Sequence, residues 1–225
     1  MSCGAGQNTW PICYTLPMEI IDAVFVIAII MFSAVIHEVM HGVAADWLGD
    51  PTARLQGRLT LNPIPHIDMV GSILLPVVLA LSQSPFLFGW AKPVPYNPYN
   101  LRPGRFSEAI VAAAGPLSNL VIAIIFSAVL RLVPMSEVLF AVIFLIVLVN
   151  VMLFLFNLIP IPPLDGSKIL ASILPGPLSG AYDQLRARLE YNPFLGFGLV
   201  LLIVIVFGSQ FGAYVYALAQ ALAGI

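Results

Sequence analysis

Four stretches of this chain, Met18 to Leu48, Phe106 to Leu132, Glu137 to Leu158 and Leu195 to Leu222, are apolar over at least the ~20 residues that a helix needs to cross a bilayer. Lipid offers no hydrogen bonds to backbone N–H and C=O groups, so segments of this kind fold as helices. A fifth apolar run, Met69 to Phe88, is broken by Gly71, Pro76 and Ser82-Gln83-Ser84-Pro85. It suits a segment that enters and returns on one side. The expected fold class is an all-α polytopic membrane protein, with about four transmembrane helices, a re-entrant or hairpin segment, and short membrane-associated strands.

Strands are expected because Arg54 to Leu61 alternates apolar and polar residues before Asn62-Pro63-Ile64-Pro65 breaks the pattern. Residues Gly89 to Pro98 are proline-rich and cannot form a helix interior. Shorter helices are expected over Ser167 to Leu174 and Tyr182 to Glu190. Residues 1–17 read as an extracytoplasmic or interfacial lead and 18–225 as one integral membrane domain. The lead lacks a basic segment before the first apolar run, and that run is too long for a signal core, so no cleavable signal peptide is expected. Cys3 and Cys13 lie in this lead, and whether they pair is left open.

Charged residues make up 9% of the chain and the formal net charge is -2, so no basic surface for nucleic acid exists. The lipid bilayer is the expected surrounding, and self-association into a homo-oligomer is left open. Arg54, Arg58, Lys92, Arg102, Arg105, Lys168, Arg186 and Arg188 fall in three connecting regions, which the positive-inside tendency places in the cytoplasm. Met69 to Phe88 must then return to its starting side. Both chain ends fall outside.

Against this sparse background the first apolar run carries His37-Glu38-Val39-Met40-His41. Four residues is one helical turn, so both imidazoles share a face, with Glu38 beside them. Ionisable groups at membrane depth are costly and point to function. Two histidines and a carboxylate base suit a zinc ion that activates water, but catalytic zinc usually takes three protein ligands. Asp165 is the preferred third ligand, since it follows a proline-broken helix end inside the apolar body and precedes Gly166; Asp68 is the second choice. The break at Asn157-Leu158-Ile159-Pro160-Ile161-Pro162-Pro163 frees backbone carbonyls that lipid would not tolerate, so it should line a cavity.

These residues resemble the site-2 protease family of intramembrane zinc metalloproteases. The resemblance rests on His37-Glu38-Val39-Met40-His41 in one membrane helix, Gly115-Pro116-Leu117-Ser118-Asn119 in a later one, and Asn157 through Pro160, Pro162, Leu164, Asp165 and Gly166 after the next. It implies that His37, His41 and Asp165 bind one Zn²⁺, that Glu38 is the general base and acid, and that Asn157 lies near the zinc-bound water. It also implies that pieces around Leu55 to Leu61 and Trp90 to Val94 are strands to which an unwound substrate adds. The partners would be membrane-anchored proteins cut in or near their spans. The chain looks like a minimal bacterial or archaeal form without a PDZ or nucleotide-sensing domain, acting in the cytoplasmic membrane.

Plainer readings stand beside these. Asn157 could cap the broken helix end, and Asp165 the helix after it. His66 reads as a turn residue, or as a hydrogen-bonding partner of substrate or oxyanion. Asn119 reads as a packing residue, or as an acceptor that orients a ligand histidine. Asp46 could pair with Arg54. Trp47, Trp90, Tyr96 and Tyr99 read as interface anchors. A metal transporter or a catalytically silent binding module are the competing functions; neither repeated halves nor polar residues in several spans favour the transporter.

Overall fold

A computed structural model describes residues 20–74, 77–78, 81 and 91–225. The lead with Cys3 and Cys13, and residues 82–90 with Trp90, lie outside these. The first apolar run forms α1 (Ile20–Trp47). It ends where Gly49 adopts φ +106 ahead of Pro51, a left-handed conformation that an L side chain resists. A short α2 (Thr52–Leu55) follows. The next two apolar runs form α3 (Ser107–Leu132) and α4 (Glu137–Asn157), antiparallel across a short turn. Ser136 caps α4 by accepting the Leu139 N–H. Beyond the proline break come α5 (Asp165–Ile173), α6 (Gly176–Tyr191) and the long α7 (Pro193–Ala223). Among the described residues, four helices (α1, α3, α4 and α7) are long and apolar enough to cross a membrane.

α3 is the centre of the bundle, packing on α1, α4, α5 and α7. Its wholly buried Ala123 meets Val147 and Val151 of α4 and Ala219 of α7 in one cluster. Small and β-branched residues let these helices approach closely, which matters in lipid, where association depends on van der Waals fit and hydrogen bonds. The outward side chains stay apolar: Ile124, Leu201 and Phe207 are exposed. In water such a surface would be a liability; in a bilayer it faces its solvent.

The C-terminal end of α1 and the N-terminal end of α3 lie side by side. The Arg102 N–H donates to the Leu48 carbonyl at 2.7 Å, and buried Asp50 accepts from the Asn97 N–H at 2.6 Å and the Asn100 side chain at 2.9 Å. Segment 48–106 therefore leaves and rejoins the bundle at one end. A wide helical turn, Met69–Leu74, opens the fifth apolar run; its continuation lies partly outside the described residues.

The expected strands do not form: among the described residues there is none. Thr52–Leu55 is helical, started by Asp50 accepting from the Thr52 N–H and hydroxyl and stopped by Gly57 at φ +64. The alternation that suggested a strand has another cause. Leu55 and Leu61 face outward at 78% and 60% exposure, while Arg58 is buried at 8%. The guanidinium turns inward because it donates to the carbonyls of Lys92 at 3.0 Å and Pro93 at 3.2 Å. Residues 91–97 are irregular backbone tied to residues 58–66 by this contact and by one backbone bond, Lys92 N–H to the His66 carbonyl at 2.8 Å. Pro93 and Pro95 lack the N–H groups that a ladder would need.

Candidate metal centre

His37 and His41 lie one turn apart on the face of α1 that packs against α3, their rings edge to face with centroids 4.7 Å apart. Their Nε2 atoms are 3.0 Å from each other, and each is 3.2 Å from Oδ2 of Asp165 at the start of α5. All three side chains are buried. His37, Glu38 and His41 also offer ligand atoms within 4.8 Å of one another.

The far side of each ring fixes what these nitrogens can do. The His41 Nδ1–H donates to the Val111 carbonyl at 2.7 Å; a carbonyl only accepts, so the proton is on Nδ1. His37 Nδ1 lies 2.6 Å from Asn119 Oδ1. That amide is oriented by its nitrogen, which donates to Asn150 Oδ1 at 2.9 Å and to the Ser33 carbonyl at 3.4 Å. His37 thus carries a proton on Nδ1 as well, and in the neutral form of each ring Nε2 is left with a bare lone pair. In that form two bare nitrogens and a carboxylate oxygen converge on one point. The arrangement suits a cation: ligands at ~2.0–2.1 Å in tetrahedral zinc sites are about 3.3 Å apart. Each ring also has the outer hydrogen bond that orients a metal-binding histidine.

Two glycines let the elements come this close. A Cβ on Gly115 would stand 2.5 Å from His41 Cε1 and Nε2 and 2.6 Å from His37 Nε2. One on Gly166 would collide with the backbone of Leu158, where α4 has unwound. That unwound stretch turns its carbonyls to protein partners; the Pro160 carbonyl accepts from the Tyr182 hydroxyl at 2.8 Å. Three residues after Asp165, the Lys168 ammonium stands 5.1 Å from the Tyr96 ring centre. Burial pushes it down, but Tyr96, Asp165 and Glu108 outweigh this and hold it above the ordinary lysine value.

Glu38 stays beside the histidine pair and bridges it to residues 91–97, where its Oε2 accepts the Val94 N–H at 2.8 Å. Asn157 is not brought to the cluster by its amide nitrogen, which donates to the Leu153 carbonyl at 2.9 Å within the last turn of α4. His66 is almost wholly buried between residues 60 and 92. Its ring donates from Nε2 to the Thr60 carbonyl at 3.0 Å, which leaves Nδ1 an acceptor with no partner. In the neutral ring held this way the free nitrogen has no proton to offer an oxyanion. Asp68 instead starts the helical turn after it, accepting from Val70 and Gly71 N–H groups. Asp46 pairs with Arg54 at 3.1 Å. Of the aromatic residues expected at the interface, Trp47 and Tyr99 are exposed, whereas Tyr96 is partly buried beneath Lys168.

Asn150 was not singled out by motif. It lies in the interior of the most apolar of the four spans, and only the general cost of a polar group at that depth marks it in the sequence.

Comparison with known proteins gives the same direction. The family model for peptidase family M50 matches residues 133–189. The chain is 35% identical over 208 residues, 88% of this chain and 86% of the relative, to "Putative zinc metalloprotease YwhC" of Bacillus subtilis (strain 168). It is 30% identical to "Putative zinc metalloprotease Rip2" of Mycolicibacterium smegmatis, over 74% of this chain and 64% of that one. It is 29% identical to the protein of the same name from Mycobacterium tuberculosis (strain Erdman), over 94% and 77% respectively. No solved structure matches the chain.

Proposed function

The chain belongs to peptidase family M50, and from that membership we propose that it is an intramembrane zinc endopeptidase cutting membrane-anchored proteins in or near their spans. The observation that carries this reading is the convergence of His37 Nε2, His41 Nε2 and Asp165 Oδ2 at 3.0–3.2 Å, beside a glutamate bound to irregular backbone.

His37, His41 and Asp165 would hold the ion. Zinc bound there supplies Lewis acidity and a water acidified towards neutral pH. Glu38 moves the proton, taking it from the water as the peptide carbonyl is attacked and passing it to the leaving amine. The Val94 N–H holds Oε2 in place and leaves Oε1 for this exchange. Asn157 would serve the oxyanion by turning its amide away from the Leu153 carbonyl. A substrate helix hides its carbonyls in its own hydrogen bonds, so it must be locally unwound to be cut; residues 91–97, free of any ladder, lie beside Glu38 to receive it. The connecting regions with most of the basic residues sit at the end of the bundle that carries Asp165, which favours a site opening towards the cytoplasm.

Glu38→Gln tests the mechanism. The variant should bind zinc as the wild type does and lose cleavage of membrane-anchored substrates by at least about a hundredfold. A cleaving Glu38→Gln enzyme would refute the assignment.

A further inference from the structure

Asn150 is wholly buried in α4, among residues of the most apolar span. A side-chain amide without partners is costly there, and Asn150 is fully partnered. Its Nδ2 donates to the Ile146 carbonyl at 2.9 Å and to Ser33 Oγ at 3.0 Å, and its Oδ1 accepts from Asn119 Nδ2 at 2.9 Å. The order of atoms is forced. The Ile146 carbonyl can only accept, so the Asn150 atom facing it is nitrogen and the atom facing Asn119 is oxygen. Asn119 must then present nitrogen to Asn150, as the Ser33 carbonyl also requires, and oxygen to His37. Turning Asn150 over would set acceptor against acceptor at the Ile146 carbonyl and donor against donor at Asn119, and turning Asn119 over would set acceptor against acceptor at both Asn150 and the Ser33 carbonyl, in a dry interior.

We propose that Asn150 is a positioning residue for His37: through Asn119 it holds the His37 proton on Nδ1 and keeps Nε2 bare and aimed at Asp165. The setting starts from a backbone carbonyl of α4, passes through α3 and reaches α1, so three spans fix one nitrogen. Ser33, one turn before His37 on α1, closes the network from the other side. The inference rests on reading His37 as a metal ligand.

The test uses the full chain purified in detergent. Affinity for Co²⁺ is measured by chelator competition for wild type, Asn150→Leu, Asn150→Asp and His37→Ala, and the His37 ring nitrogens are followed by nitrogen NMR in metal-free protein at alkaline pH. Wild-type His37 should carry its proton on Nδ1. Asn150→Leu should give mixed tautomers and about tenfold weaker metal binding, the lower end of the roughly 10–100-fold cost of losing outer-sphere partners. Asn150→Asp keeps an acceptor facing Asn119 in either protonation state, and should restore a single tautomer and most of the affinity. A purely structural role would change thermal unfolding without changing the tautomer. Wild-type affinity and tautomer in Asn150→Leu would overturn the proposal, as would a wild-type His37 protonated on Nε2, a result that needs no variant to fold. If the wild type binds no metal, or His37→Ala binds it equally well, the ligand reading fails; the tautomer shift then still supports, and its absence still overturns, the coupling of Asn150 to His37.

Discussion

Gly115 occupies a point at which any side chain would lie against both imidazole Nε2 atoms. Alanine is the better helix former by roughly 1 kcal/mol, whereas overpacking costs about 1–3 kcal/mol. Gly115→Ala should therefore change stability little but displace the ring edges, and zinc retained per chain after desalting should fall to background while the protein still purifies folded. The small residues of Gly115-Pro116-Leu117-Ser118-Asn119 could be read from sequence as permitting close approach, but not what approaches. Spacing likewise placed His37 and His41 on one face, and the proline-broken helix end before it favoured Asp165 over Asp68. It could not orient Asn119, because that depends on a single asparagine 31 residues further on.

At the scale of elements, the four long apolar runs became the helices expected of them, since length and composition leave a lipid-embedded backbone little choice. The connecting segments were misread where Arg54 to Leu61 suggested a strand. In a membrane protein an outward leucine and an inward arginine can produce the same alternation as an inward leucine and an outward arginine. Arg58 now carries a specific expectation. Arg58→Met removes the donors to the Lys92 and Pro93 carbonyls, worth about 2 kcal/mol for charge-assisted bonds, and should raise hydrogen exchange over residues 92–96 while sparing α3 and α4. Asp50 fastens the other end of this segment. Burial pushes its carboxyl up, but the Thr52 hydroxyl, the Asn100 amide and the Asn97 and Thr52 N–H groups outweigh this and hold it below the usual carboxylate range. A lowered folded value means that its stabilisation is present above the ordinary carboxylate pKa and is lost as pH falls through the folded one. Protease sensitivity around residues 97–102 should accordingly rise in acid for the wild type, and should be high and nearly independent of pH in Asp50→Ala.

For the molecule as a whole, the C-terminal ends of α1 and α4 and the N-terminal ends of α3 and α7 gather on one side, together with α2, α5 and α6. If that side is cytoplasmic, single cysteines placed at Gln56 and Gln184 should be labelled by an impermeant thiol reagent only in inverted vesicles, and one at Ile225 only in right-side-out cells. Labelling of position 56 from outside would reverse the orientation. The Val94 N–H on Glu38 joins the long excursion between α1 and α3 to the proposed chemistry. Its neighbours Pro93 and Pro95 have no N–H. Within that triplet the backbone has a single donor to give, so sliding the segment by one residue either way would offer Glu38 a nitrogen without hydrogen. The alignment of the excursion against the helix is thus indexed by two missing protons, and the buried Val94 side chain, lying against Gly42 of α1, fits only in that same alignment.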